Sequence, residues 1–331
     1  MKNCLCYIGL FALLACQQEK TETPSYELSM DHHVHIQSKA AAEHMDVLLR
    51  LFRMKDSARV SEPTTAETVL SILDSSSIRQ AAVLSSGYMF GIPDLEVENE
   101  LEKVRAENEY VATQANQSER LFGFCSVNPA KPYALEEVER CFDSLKVDGL
   151  KLHLANSKID FFNEEHMQRL QKIFDLCVKY DKPVLMHMRN RNPEYGAVDV
   201  KEVLENLLIP RKDLRIVIAH AAGWGGFDAA TDSALRTFIP YFESGALSSE
   251  NIRFGMGYVV YETGTASVDS TAIANLSLAM KAVGIEKFVF ASDWSFGSAI
   301  PGAYQEKMEH WLDLSAKDWE TLRANRGFGF E

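Results

Sequence analysis

From about residue 28 to the C-terminus, short apolar runs alternate with longer amphipathic stretches. The short runs are LSMDHHVHI (28–36), QAAVLSS (80–86), LFGFCSV (121–127), GLKLHL (149–154), PVLMHM (183–188), RIVIAHA (215–221), IRFGMGYV (252–259) and KFVFASDW (287–294). Their length and apolar character predict eight strands. The stretches between them, such as TAETVLSILDSSS, ALEEVERCFDSLK, EEHMQRLQKIFDLCVKY, VKEVLENLL and STAIANLSLAMKAVG, repeat apolar residues at spacings of three and four and predict helices. Eight strand–helix alternations without a linker predict an α/β fold, a single-domain (β/α)8 TIM barrel over residues 28–331. A doubly wound open sheet fits less well, because DHHVHIQS stands where a glycine-rich phosphate loop would follow the first strand. Two long connections, 37–66 and 87–97, would lie over the C-terminal face of the barrel. The helical periodicity of AAAEHMDVLLRLFRMKDSARV predicts a lid there.

Before the barrel the pattern changes. Lys2 precedes an apolar run from Leu5 to Ala15 that is too short to span a bilayer and reads as the core of a secretory leader, residues 1–15. It ends in Leu13-Leu14-Ala15-Cys16, which resembles the bacterial lipobox, and implies lipidation of Cys16. Residues 16–27 are then a polar tether. The expected location is the bacterial cell envelope, with the membrane touched through the N-terminal lipid only. The net charge of −13 becomes one unit more negative once Lys2 leaves with the leader, and no basic run offsets it. A nucleic-acid partner is therefore not expected. Beyond the leader and Cys16, Cys125, Cys141 and Cys177 remain, an odd number at wide spacing that implies buried thiols and no disulfide framework.

The polar residues within the predicted strands form a second pattern. DHHVH holds three of the chain's nine histidines in five residues. Side chains alternate along a strand, so Asp31, His33 and His35 should share the inward face, with His32 turned toward the helices. Lys151 and His153, His187, His220 and Asp293 fall near the ends of four further strands, where catalytic groups of such barrels stand. One such histidine alone would be an ordinary hydrogen-bonded core residue. Several imidazoles and a carboxylate buried together call for a cation, and a set of three histidines and an aspartate with room for water is a catalytic zinc-type site.

These residues resemble the amidohydrolase superfamily, in its amidohydrolase-2 branch of ACMSD-like (aminocarboxymuconate-semialdehyde decarboxylase-like) proteins. The resemblance rests on Asp31-x-His33-x-His35, GFCSVNPAKPYALEEVERCFDSLKVDGLKLH, PVLMHM, IVIAHAAGWGG, FASDWSFG and a C-terminal ETLRANRGF, in that order. It implies that His33, His35, His187 and Asp293 bind one divalent ion, zinc or alternatively manganese, and that His220, with Asp293, moves protons for the attacking water. It implies a metal-dependent hydrolase of a small lactone, ester or amide. Non-oxidative decarboxylation of a small carboxylic acid is the alternative, and a non-catalytic lipid-anchored binding protein a third. Lys151 stands where other branches carry a carboxylated lysine between two metals; its other reading is a buried lysine paired with Asp31 or Asp293. His153, Arg189 and Trp294 are expected substrate contacts, Arg189 as a bidentate clamp on a carboxylate. Trp224, Tyr88 and Tyr258 are further candidates for pocket walls. His44, His166 and His310 read as surface residues.

Overall fold

A computed structural model describes residues 27–51, 62–260, 269–296 and 300–329. The leader, Cys16, all of the tether but Glu27, and residues 52–61 of the expected lid lie outside the described residues. All eight predicted strands are present: β1 (Leu28–His35), β2 (Ile78–Leu84), β3 (Leu121–Ser126), β4 (Gly149–His153), β5 (Val184–His187), β6 (Ile216–Ile218), β7 (Ile252–Gly255) and β8 (Phe288–Val289). Each pairs in parallel with the next. The residues after β8 return to β1. His32 N–H donates to Phe290 O at 3.1 Å, Asp293 N–H to His33 O at 2.9 Å, and His35 N–H to Trp294 O. These bonds close the cylinder and exclude the open sheet. The fold is a single-domain (β/α)8 barrel.

The helices are α1 (Lys39–Leu51), α2 (Ala66–Ser75), α3 (Glu100–Ala115), α4 (Ala134–Asp143), α5 (Glu164–Lys179), α6 (Ala197–Val203), α7 (Ala229–Arg236), α8 (Ile239–Glu243), α9 (Ser270–Val283), α10 (Pro301–Trp311) and α11 (Ala316–Ala324). Several begin on a side chain that accepts a free backbone N–H: Thr65 for α2, Asn163 for α5, Asp228 for α7 and Asp269 for α9. None of the helices among the described residues is long and apolar enough to cross a membrane.

Strand alternation divides the apolar residues into two layers. Leu150, Leu152, Val184, Met186, Ile216 and Ile218 pack outward in the large core that includes the helices. Met30, Leu84, Phe124, Leu185, Val217 and Val289 form a separate interior cluster, joined by Phe328 from the C-terminal turn. Phe328 is buried with its ring 4.9 Å from that of Phe124. The chain approaches closely here: a Cβ on Gly149 would stand 2.4 Å from the Phe124 ring, and Gly327, at φ +55, leaves room only for the His32 ring.

This packing corrects the expected orientation of His32. The β1–β2 register shifts between Asp31 and Val34, so strict alternation fails. The His32 ring lies 5.5 Å from Phe328 at the barrel floor, and its Nδ1–H donates to Phe290 O at 2.8 Å. It stays apart from the mouth, although it does not face the helices. Cys125, Cys141 and Cys177 are buried free thiols, as expected.

Candidate metal centre

Three atoms from two neighbouring strand ends converge at the mouth of the barrel. His33 Nε2 and His35 Nε2 are 3.0 Å apart, and Asp293 Oδ1 lies 3.1 Å from the first and 3.2 Å from the second. Two donors held about 2.0–2.2 Å from one ion, at angles between octahedral and tetrahedral, are themselves separated by roughly 2.8–3.5 Å. The three residues therefore fit a single divalent ion, and their ligand atoms form the one cluster of that kind among the described residues. Asp293 reaches the site because the chain leaves β8 and runs alongside β1, with Asp293 itself at φ +61. Beneath the cluster, Asp31 Oδ1 accepts from His33 N–H at 3.1 Å and Ser292 N–H at 3.0 Å, tying the two ligand-bearing segments together. The Phe296 ring stacks on His35 at 3.9 Å.

Protonation favours a cation. Burial pulls His33 well below the ordinary histidine range, with Lys151 and the other imidazoles adding to it, and pulls His35 down to about 4. Burial opposes ionisation of Asp293, yet the His35 hydrogen bond and the charges around it hold the carboxyl below its usual value. Neutral imidazoles beside an ionised carboxylate are what a divalent metal requires.

His187 and His220 stand next to this cluster without entering it. Their rings are 5.0 Å apart, and His220 is 5.4 Å from His33. β6 stops at Ile218, short of its predicted end, and His220, Ala221 and Ala222 follow in the left-handed region at φ 55, 48 and 68. That turn brings His220 Nδ1 to 2.6 Å from Gly257 O. A carbonyl only accepts, so Nδ1 carries the proton and Nε2 keeps its lone pair.

Lys151 is 1% exposed, and burial brings its ammonium down to about 7. Its hydrogen-bond partner is His33 Nε2, at 3.1 Å, and not the carboxylate partner expected from the sequence. His153 stacks on His187 with ring centroids 4.0 Å apart and planes 10° from parallel. Trp224 meets His187 edge-on at 5.2 Å, and Tyr88 lies 5.3 Å from His153.

Two expected substrate contacts are engaged elsewhere. Arg189 Nη1 donates to both carboxylate oxygens of Asp228, at 2.9 and 3.1 Å, and the guanidinium rests 5.4 Å over the Tyr195 ring. Asp228 also caps α7, so the pair braces the loops after β5 and β6. The Trp294 ring packs against the outer core, while its backbone helps close the barrel. His44 is more than a surface residue: its ring packs on Phe90 at 4.7 Å, and Nε2–H donates to Met89 O at 3.0 Å, tying α1 to the loop after β2.

The Amidohydro_2 family, described as amidohydrolase, matches residues 30–320. The chain belongs to that family. Solved structures with the same fold include the 2,6-dihydroxybenzoate decarboxylase from Rhizobium, at 16% identity and TM-score 0.58, covering 92% of this chain and 98% of that one. The 5-carboxyvanillate decarboxylase from Novosphingobium aromaticivorans, complexed with manganese and 4-hydroxy-3-methoxy-5-nitrobenzoic acid, matches at 14% and TM-score 0.62, covering 93% and 97%. A candidate 2-pyrone-4,6-dicarboxylic acid hydrolase from Pseudomonas putida matches at 17% and TM-score 0.58, covering 92% and 100%. Among curated proteins none matches the chain. The family membership supports a metal-dependent enzyme, and hydrolase and decarboxylase readings both fit it.

Sequence reasoning missed the backbone groups that set the imidazole tautomers, because Gly257 O carries no side-chain signal. Phe296 could have been found, since it stands three residues beyond Asp293.

Proposed function

We propose that the protein is a metal-dependent hydrolase that opens a lactone, ester or amide bond of a small carbonyl substrate with an activated water. The observation that carries this reading is the convergence of His33, His35 and Asp293 beside a histidine, His220, whose Nε2 lone pair is kept available. His187, next to His220, would complete the ligand set for one ion, zinc or manganese. Such an ion withdraws electron density from a carbonyl and makes water acidic enough to ionise near pH 7. His220, held by Gly257 O, takes the proton of the attacking water at Nε2 and returns it to the leaving group. Asp293, ionised at rest, would share that transfer as a second acceptor for the water proton.

Non-oxidative decarboxylation would use the same residues: His220 takes a proton from water at Nε2 and passes it to the carbon whose carboxylate leaves as carbon dioxide. The decarboxylases of this fold support keeping that reading. Incubation of the metal-loaded protein with a panel of lactones, esters, amides and carboxylic acids separates the two. Ring opening or acid release without carbon dioxide supports hydrolysis; stoichiometric carbon dioxide replaces it with decarboxylation. Lys151 Nζ lies 3.1 Å from His33 Nε2, the atom proposed to hold the ion, so a second ion bridged by a carboxylated Lys151 is the alternative that metal stoichiometry decides: two ions per chain replace the single-ion reading.

We also infer an envelope location, with lipid on Cys16, from the Leu13-Leu14-Ala15-Cys16 order and the polar tether after it. Cys16→Ser should move the protein from the membrane fraction to the soluble one.

A further inference from the structure

Opposite the metal centre the barrel carries a second concavity. The strands are parallel, so the starts of β1 and β2 lie together at the far end, and with α11 they border an open groove of about 570 Å³. Glu27, Arg79, Glu320, Arg323 and Arg326 line it. The α11 side is fixed in place: Ser29 Oγ–H donates to Asn325 O at 3.1 Å, and Arg323 Nη2–H to Glu309 Oε1 at 2.6 Å.

Four of the lining side chains are charged, exposed and uncommitted. Arg79, Arg326, Glu27 and Glu320 have no side-chain partner among the described residues. Both signs line the same groove, yet these four lie outside ion-pair distance of one another. Other arginines at this end are engaged: Arg120 with Asp74 at 2.7 Å, and Arg215 with Asp181 at 2.9 Å. Guanidiniums take phosphate oxygens bidentately, and carboxylates accept from the N–H groups of a primary ammonium. Separated charges of both signs therefore match one ligand that carries both, a phosphate ester with a primary ammonium.

Glu27 is also where the polar tether joins the barrel. Residues 17–26 separate it from Cys16, a path of at most about 40 Å when fully extended. A lipid on Cys16 would hold this face within that distance of the bilayer and raise its effective concentration at the headgroups, so that a weak site suffices. From Leu28 to His35, β1 runs roughly 20–25 Å, so the mouth would open away from the membrane.

We propose that this groove docks an aminophospholipid headgroup of the membrane, with the chemistry of phosphatidylethanolamine: Arg79 and Arg326 hold the phosphate, Glu27 and Glu320 the ammonium. Docking stands the barrel on the bilayer by its floor. The proposal rests on the lipid anchor inferred for Cys16 and is independent of the reaction catalysed.

The test uses the purified full chain carrying Cys16→Ser, which bears no lipid of its own. It is cosedimented with vesicles of phosphatidylcholine alone, or of phosphatidylcholine mixed with an equal share of phosphatidylethanolamine or phosphatidylglycerol. The leader is common to all samples, so differences among them read the groove. Vesicles with phosphatidylethanolamine should bind most. The quaternary ammonium of phosphatidylcholine offers no N–H, and phosphatidylglycerol sets negative charge against a chain of net charge −13. Arg79→Ala and Arg326→Ala should each weaken binding roughly 5-fold, and Glu27→Gln with Glu320→Gln should erase the preference for phosphatidylethanolamine over phosphatidylcholine. Equal binding to those two vesicles, stronger binding to phosphatidylglycerol, or arginine variants that bind like the parent would each overturn the proposal. Micromolar binding of free phosphoethanolamine without vesicle binding would also overturn it, giving the groove to a soluble phosphate ester. The mass of the native chain extracted from membranes tests the anchor separately: an unlipidated Cys16 removes the anchor, whatever the vesicles do.

Discussion

His220 and Gly257 are joined by a short hydrogen bond, 2.6 Å from imidazole Nδ1 to carbonyl oxygen. The bond reaches from the left-handed turn after β6 to the segment after β7, and it fixes which nitrogen of His220 keeps its lone pair. Replacing His220 by Asn should therefore lower turnover by roughly 10²- to 10⁴-fold, the usual contribution of a placed acid–base group, with metal content unchanged. Steady-state rates and metal analysis of the same preparation check this. Near-normal turnover would remove His220 from the proton path.

The barrel floor depends on a residue close to the end of the described chain. Phe328 fills the interior between His32 and Phe124, and truncation would leave a cavity that β-strands cannot collapse into. Phe328→Ala should cost about 3–5 kcal/mol of unfolding free energy in urea titrations. A loss below about 1 kcal/mol would show that the C-terminal turn contributes little to the core.

Glu107, on α3, couples the loop after β1 to pH. Both its carboxylate oxygens lie 3.2 Å from the Ser38 N–H, three residues beyond His35, and burial pushes the carboxyl up from its ordinary 4.5 to about 7. The folded protein thus keeps, between those values, a proton that the unfolded chain has released. The associated stability is fully present below about pH 4.5 and is lost as pH rises through about 7. Glu107→Gln should remove this decline, so that between pH 4.5 and 7.5 the unmodified protein loses on the order of 1–3 kcal/mol relative to the variant. Parallel stability curves for the two proteins would contradict the assignment.

Much of the architecture was legible because it follows from periodicity. Eight apolar runs separated by amphipathic stretches predicted eight parallel strands in order, and His33 with His35 reads directly from alternation. Alternation failed one step earlier, at His32, because the register shift in β1 lies in backbone pairing that no side chain announces. The run RIVIAHA places His220 in a strand, yet its orientation comes from the left-handed turn that replaces the end of β6. Arg189 shows a different limit. An arginine two residues beyond a proposed ligand suggests a carboxylate clamp, but Asp228, 39 positions away in sequence, takes it instead. Long-range pairing of this kind depends on loop paths, which periodicity does not encode.

The central claim is one divalent ion held by His33, His35 and Asp293, and metal analysis of the purified protein tests it most directly. One zinc or manganese ion per chain is expected, removed by chelators, with a lowered thermal midpoint in the stripped protein, and abolished in His35→Ala and Asp293→Ala. Two ions per chain, or none after incubation with excess zinc and manganese, would contradict the account.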